Sequence, residues 1–264
     1  MIKYKERFIE LHDMRLIVIA AGEGSRMGKL TQNMPKPLMM INGKSIIERQ
    51  ISFFKQNNIL DFIIITGPHS EKFNLKNVVY LNDLEHQNHN TLLSLITARD
   101  YMNDEIIITY ADQIFDEKIM ESVINFKGDI GIAVDLDWEK NYVDRDQHPK
   151  SEADTVLLDK EDNILELRKN IQKPDSKIGE FAGIVKLSKK GSNILSKKLN
   201  ELHALINQGL GSEAEDFNIK QSAIPDMIQE LIDSEINVEP IYISGKWCEI
   251  DTPQDLQIAR KLFS

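Results

Sequence analysis

The sequence has a single cysteine, Cys248. That excludes an internal disulfide and fits a reducing compartment. It has no apolar run near the ~18 residues that a spanning helix requires, and its charged start (Lys3, Lys5, Glu6, Arg7, Glu10) lacks the core of a secretory signal. A cytoplasmic chain with no membrane partner is therefore expected. Positive charge is also in deficit: 32 Lys and Arg stand against 42 Asp and Glu, a net charge of −10. This argues against nucleic acid or an anionic lipid surface as the main partner. No internal repeat, low-complexity tract or linker interrupts the chain. What remains is 264 residues, 41% hydrophobic, enough for a substantial core. Residues 1–13 read as a short polar extension and 14–264 as one domain; a homo-oligomer is left open.

Regular structure begins at Arg15-Leu-Ile-Val-Ile-Ala20, a continuous β-branched run that suits a strand covered on both faces. Ser45 to Asn57 carries apolar residues at helical spacing. Asp61 to Thr66 forms a second buried strand, stopped by Gly67-Pro68, and Asn77 to Leu81 a third. Thr91 to Tyr101 reads as helix, Glu105 to Tyr110 as strand, and Asp129 to Val134 as strand after a further helix. This alternation predicts an α/β fold with right-handed crossovers and a Rossmann-like, mostly parallel sheet covered by helices on both faces. Asp154–Leu158 and Ile164–Arg168 flank a polar turn and read as a hairpin, a small β insertion forming the acceptor side. Helices at Leu187–Gly209 and Ala223–Ser234, a strand at Val238–Ile243 and a helix at Pro253–Leu262 follow. Asp251 or Thr252 is available as the cap of the last helix.

The segment directly after the first strand, Ala20-Ala-Gly-Glu-Gly-Ser-Arg-Met27, carries the strongest chemical signal, with Pro35-Lys-Pro37 beyond it. Gly22 and Gly24 allow a tight turn whose successive N–H groups face phosphate oxygens. Arg26 offers a permanently charged fork to the outer phosphates of an NTP. Lys36, held between prolines, is a fixed point charge suited to the α-phosphate. A glycine turn with surface cations is the plain alternative. The dinucleotide fingerprint is not met, because its third glycine falls on Met27, and no Walker sequence is present.

Gly-x-Gly-Ser-Arg-Met…Leu30-Thr31…Pro35-Lys36-Pro37-Leu38 resembles the signature of the sugar-phosphate and phosphocholine nucleotidylyltransferase superfamily, and later motifs recur in order from about Arg15 to the end. Gly28-Lys29 before Leu30-Thr31 departs from the Arg-Pro-Leu-Thr of sugar enzymes and resembles the small CTP-using branch acting on phosphocholine, phosphonates and phosphoglutamine. The resemblance implies transfer of CMP from CTP to a small phosphonate or phosphomonoester acceptor, with pyrophosphate released and Mg²⁺ as cofactor. It places Ala20, Ala21, Gly22, Gly24, Ser25, Gly67, Asn90, Tyr110 and Ala111 around the nucleotide, and Arg26 and Lys36 in catalysis.

Hard oxygen ligands are needed near the α-phosphate to hold Mg²⁺. Asp112 ends a buried strand, where ligands of open α/β sheets bind. The resemblance of Tyr110-Ala-Asp-Gln113 and Trp247-Cys-Glu-Ile-Asp-Thr252 to the family's motifs implies metal binding by Asp112 and Asp251, with Glu249 as a direct or indirect partner. Capping a helix or turn competes for each aspartate, and Asn90 is equally a plain helix cap. Trp247 reads as core and Cys248 as a buried apolar residue without chemistry.

For the acceptor, Asp137 and the stretch Arg145-Asp-Gln-His-Pro-Lys-Ser-Glu152 are candidates. Arg145, His148, Lys150 and Ser151 together suit a dianionic phosphate or phosphonate, against the alternative of a solvated loop. Glu180-Phe-Ala-Gly183 resembles the superfamily's Glu-x-x-Gly step facing the acceptor. Two rival readings are a sugar-1-phosphate uridylyl- or thymidylyltransferase and a glycosyltransferase using Asp135-Leu-Asp137 as its metal motif.

Overall fold

A computed structural model describes residues 14–208 and 219–264. In chain order the strands are β1 (Met14–Ala20), β2 (Met40–Ile41), β3 (Lys44–Ser45), β4 (Asp61–Thr66), β5 (Val79–Asn82), β6 (Glu105–Tyr110), β7 (Gln113–Phe115), β8 (Ile130–Asp135), β9 (Asp154–Leu158), β10 (Ile164–Lys169), β11 (Lys177–Leu187), β12 (Glu239–Ile243) and β13 (Trp247–Glu249). The helices are α1 (Ile46–Gln56), α2 (Thr91–Ile96), α3 (Glu117–Asn125), α4 (Lys189–Asn207), α5 (Ile224–Asp233) and α6 (Pro253–Leu262).

β1 pairs in parallel with β4 and β6, and β4 with β5, so β1, β4 and β6 end on one edge of the sheet. β11 then runs antiparallel beside β6 and also pairs with β8, which carries β12 in parallel. Its first half pairs with β9, the inner strand of the β9–β10 hairpin. The hairpin therefore extends the sheet beyond that same edge, where the sequence predicts an acceptor side.

The period of two along β1 explains the layering. Ile17, Ile19 and Ala21 enter a core with Leu92 and Leu95 of α2, Leu195 and Leu199 of α4, and Met227 and Leu231 of α5. Leu16, Val18 and Ala20 enter the opposite core with Ile47, Ile51 and Phe54 of α1 and Ile119, Met120 and Val123 of α3. Each fully buried Val, Leu, Ile, Met or Phe side chain among them contributes about 1.5–3 kcal/mol. A smaller core, including Met27, Met39, Ile114, Ile250 and Leu256, seats α6 behind the glycine loop. α1 starts at Ser45, whose hydroxyl accepts from Glu48 N while Glu48 returns a bond from Ser45 N, a reciprocal cap.

Several elements differ from the sequence-based expectation. The third strand begins at Val79 rather than Asn77, because Asn77 has φ 60° and cannot extend a strand. The helix expected over Thr91–Tyr101 stops at Ile96 and resumes as a short 3₁₀ turn at Arg99–Tyr101. Leu187 closes β11 rather than opening a helix; α4 starts at Lys189 under a Ser188 cap. The expected end at Gly209 and the 1–13 extension lie outside the described residues.

Candidate active site

The glycine loop follows β1. Gly24 adopts φ 63°, a left-handed turn, and its carbonyl accepts from Met27 N at 3.0 Å and from Thr31 Oγ1 at 2.8 Å. Buried Met27 anchors the turn, leaving Ser25 and Arg26 exposed. Gly22 needs no such account. A Cβ there would meet nothing within 4 Å, yet Gly22 lines a cleft of about 630 Å³ with Gly24, Ser25, Arg26, Lys36 and Asn90. The protein's own packing does not demand glycine at 22, which agrees with a close approach by a ligand. At Gly67 a Cβ would lie 2.3 Å from Ala21 O, so glycine there lets the ends of β4 and β1 touch.

Lys36 follows Pro35 in a single 3₁₀ turn, Lys36–Leu38. Its Nζ donates to Asp112 Oδ2 at 2.8 Å and Asp251 Oδ1 at 2.7 Å, and Arg26 lies 2.7 Å from Asp251 Oδ2. Burial alone would lower the lysine's pKa, but the two aspartates outweigh it and raise it, so the ammonium is permanent.

The aspartates come from distant parts of the chain and meet through a three-residue ladder. β7 pairs antiparallel with β13, Gln113 opposite Glu249, and Ile250 N donates to Asp112 O at 2.9 Å. Gln50, a buried polar residue on the apolar face of α1, donates to Tyr110 O (2.9 Å) and Gln113 O (2.8 Å) and pins the turn carrying Ala111 and Asp112. The capping roles fall elsewhere. Thr252 caps α6, its hydroxyl accepting from Asp255 N, and the Asp112 carboxylate pairs with Lys36. Asn90 does cap α2, accepting from Thr91 N at 2.8 Å, while also lining the cleft.

The donor set fits a hard divalent cation. Asp112 and Asp251 already converge on one positive charge, and buried Asp112 Oδ1 has no hydrogen-bond partner. Glu249 lines the same cleft, its pKa raised by burial and then by Asp251 and Asp112. His148 also lies near: with Glu249 and Asp251 it presents ligand atoms within 4.8 Å of one another. Its Nδ1, however, receives an N–H from Arg145 at 3.1 Å. A guanidinium only donates, so Nδ1 accepts and the ring proton sits on Nε2, 3.7 Å from Glu249 Oε2.

The structure divides the residues expected at the acceptor. His148, Glu180, Gly183 and Glu249 line a small pocket of about 70 Å³ with Arg26, Tyr110, Asp154, Lys169 and Asp251. Gly183 holds φ 67° in an irregularity of β11, and a Cβ there would lie 2.0 Å from Gln113 Nε2. Burial pushes Glu180 up to about 8 and Asp154 to about 6; Glu180 accepts from Tyr142 Oη. Asp137 and Ser151 instead line a separate groove of about 820 Å³. Arg145 is buried and spent on Asp255 at 2.6 Å, and exposed Lys150 pairs with Glu139. The expected joint grip of Arg145, His148, Lys150 and Ser151 on one phosphate is therefore not formed, because a buried guanidinium takes the nearest carboxylate. Asp135 accepts from Trp247 Nε1 at 2.8 Å and Asp137 pairs with Lys140 at the surface, so this pair does not form the metal motif of the glycosyltransferase reading. Cys248 is buried, its thiol pushed up to about 12 by burial.

Residues 16–141 match the MobA-like NTP transferase domain. That segment is similar to nucleotidylyltransferases. The chain is 27% identical over 258 residues to the CTP:phosphoglutamine cytidylyltransferase of Campylobacter jejuni subsp. jejuni, covering 93% of this chain and 98% of that one. It is 34% identical over 107 residues to the choline-phosphate cytidylyltransferase of Streptococcus pneumoniae, covering 39% of this chain and 46% of the relative. Its fold matches the solved CTP:phosphocholine cytidylyltransferase of Streptococcus pneumoniae with a TM-score of 0.71 at 19% identity, over 95% of this chain and 99% of that one. Among the described residues no helix is long and apolar enough to cross a membrane. Sequence reasoning missed Gln50 and Asp255. A glutamine on an otherwise apolar helix face and the Thr252-x-x-Asp255 spacing were the available signals.

Proposed function

We propose that this chain is a nucleotidylyltransferase that transfers CMP from CTP to a small phosphomonoester or phosphonate and releases pyrophosphate, with residues 14–264 as one catalytic unit acting in the cytoplasm. The observation that carries the reading is the Lys36 ammonium fixed between Asp112 and Asp251 beside the glycine loop. The cytidylyl assignment draws on the relatives named for CTP.

In the reaction, an acceptor oxygen attacks the α-phosphorus of CTP. One P–O bond forms, the bond from the α-phosphorus to the bridging oxygen breaks, and pyrophosphate leaves with that electron pair. An acceptor phosphate is already ionised near neutrality, so no general base is required. Lys36 and the N–H groups of the glycine loop stabilise charge at the α-phosphate, and Arg26 binds the outer phosphates. Asp112 and Asp251, with Glu249 beside them, would hold Mg²⁺, which would supply neutralisation of the triphosphate charge. The acceptor lies on the hairpin side, toward the small pocket of Glu180 and Lys169. Neither nucleic acid nor membrane enters the scheme.

Pyrophosphate release measured for four NTPs against phosphocholine, aminoethylphosphonate, phosphoglutamine and hexose 1-phosphates tests the reading. CTP with a phosphomonoester or phosphonate should turn over fastest. Equal turnover with UTP or dTTP and a hexose 1-phosphate overturns the cytidylyl assignment. Asp112→Asn and Asp251→Asn should each sharply weaken Mg²⁺ dependence while remaining folded, and the double variant should lose little more than either single one.

A further inference from the structure

The sequence suggests Arg145 as an acceptor ligand, but its surroundings assign it elsewhere. Its side chain is 5% exposed. Nε donates to Asp255 Oδ1 at 2.6 Å, and one terminal nitrogen donates to Glu249 O at 2.9 Å and His148 Nδ1 at 3.1 Å. The guanidinium lies 5.1 Å from the centroid of the Tyr142 ring. The other oxygen of Asp255 accepts from Asp251 N at 3.0 Å, Thr252 N at 2.8 Å and Thr252 Oγ1 at 2.8 Å.

These bonds converge on three residues. Glu249 O is held by Arg145 directly, Asp251 N is held through Asp255, and the Ile250 N between them is held by Asp112 O. The backbone carrying Glu249 and Asp251 is thus fixed on both sides, and the Asp251 carboxylate is aimed at Lys36. A lysine in place of Arg145 has no planar fork with which to hold a carbonyl and a carboxylate in one plane.

We propose that Arg145 is a positioning residue for the cation site: it holds the 249–251 segment so that Asp251 and Asp112 meet on one charge, and it does not touch the acceptor. The proposal rests on the metal reading above.

The test uses Arg145→Gln, Arg145→Lys and Asp255→Asn in the full chain, with circular dichroism and thermal unfolding to establish that each is folded. Binding of Mn²⁺ alone, followed by the loss of the free-ion electron paramagnetic resonance signal, supplies a readout independent of turnover. Steady-state kinetics then gives the Mg²⁺ concentration for half-maximal rate and the acceptor KM. Arg145→Gln should weaken Mn²⁺ binding and raise the Mg²⁺ requirement at least tenfold, with acceptor KM changed less than twofold. Arg145→Lys should recover part of the loss, and Asp255→Asn should shift the same two quantities. Mn²⁺ binding within twofold of the unaltered protein, together with a raised acceptor KM, overturns the proposal in favour of a phosphate contact. Unchanged Mn²⁺ binding and KM with a lowered Tm overturns it in favour of a purely structural ion pair. If the unaltered protein binds no Mn²⁺, the metal reading itself fails, and this proposal with it.

Discussion

Replacing Lys36 by methionine keeps most of its length and removes the charge shared by Asp112 and Asp251. Both contacts are short, 2.8 and 2.7 Å, and the Lys36 and Asp251 side chains are only 10% and 4% exposed. Deleting one member of such a buried pair costs about 3–5 kcal/mol, because the remaining charges stay desolvated and repel. Arg26 still faces Asp251 at 2.7 Å and offsets part of this, which favours the lower end, about 3 kcal/mol. For a chain of this size that corresponds to a fall in Tm of roughly 6–12 °C. Mg²⁺ should restore more Tm in the variant than in the unaltered protein, since a cation can then neutralise carboxylates that no ammonium shares. Turnover should fall about 10²–10³-fold, the scale for losing one preorganised charge at the reacting phosphate. Differential scanning fluorimetry in EDTA and in Mg²⁺, with pyrophosphate release at saturating CTP, measures both. A folded variant with turnover within about threefold of the original would refute the α-phosphate role. A Tm in EDTA within a degree would refute the view that the lysine balances the carboxylates.

Glu180→Gln tests the raised pKa of about 8. A carboxyl whose folded pKa lies above its unfolded value binds more protons when folded, so it lowers stability progressively as pH rises from about 4.5 to 8. The amide variant should therefore gain stability relative to the original across that window, and urea titrations at pH 5 to 8 will show a pH-independent difference if the assignment is wrong. Gly67→Ala should destabilise by about 1–3 kcal/mol, the cost of overpacking, because its Cβ would lie 2.3 Å from Ala21 O; an unchanged denaturation midpoint would contradict the close packing of β1 and β4. Thr252→Ala should cost about 1 kcal/mol as a lost cap and move Asp251 with it, read as a lower Tm together with a higher Mg²⁺ requirement.

The parallel half of the sheet was legible because β1, β4 and β6 are uninterrupted β-branched runs, and the glycine loop because its residues are contiguous. β11 was not, although it is the strand that joins the two halves. Gly179 and Gly183 interrupt its apolar run, and only the tertiary pairing with β6, β8 and β9 shows that Gly183 occupies an irregularity within one continuous strand. β7 and β13, three residues each, are too short to produce a pattern. Arg145 was found as a residue but its direction was not. An arginine in a polar stretch reads as exposed until Asp255, on the last helix, is seen to claim it. Buried polar partners such as Gln50 are specified by the carbonyls they meet, which no local spacing encodes.

The β7–β13 ladder closes a long loop: residues 113 and 249 are paired, and the described residues between them include β8 to β12 and the helices around them. The entropy of closing a loop grows only with the logarithm of its length, about 0.6 kcal/mol for each doubling. Lengthening or shortening the chain between those anchors therefore costs the carboxylate pair little, provided the ladder, Gln50 and the Arg145–Asp255 pair are kept. The hairpin of β9 and β10 lies inside that loop. If the acceptor sits on the hairpin side as proposed, the hairpin can be remodelled while β1, β4 and β6 stay in register, so new specificities can arise by insertion and deletion as readily as by point substitution.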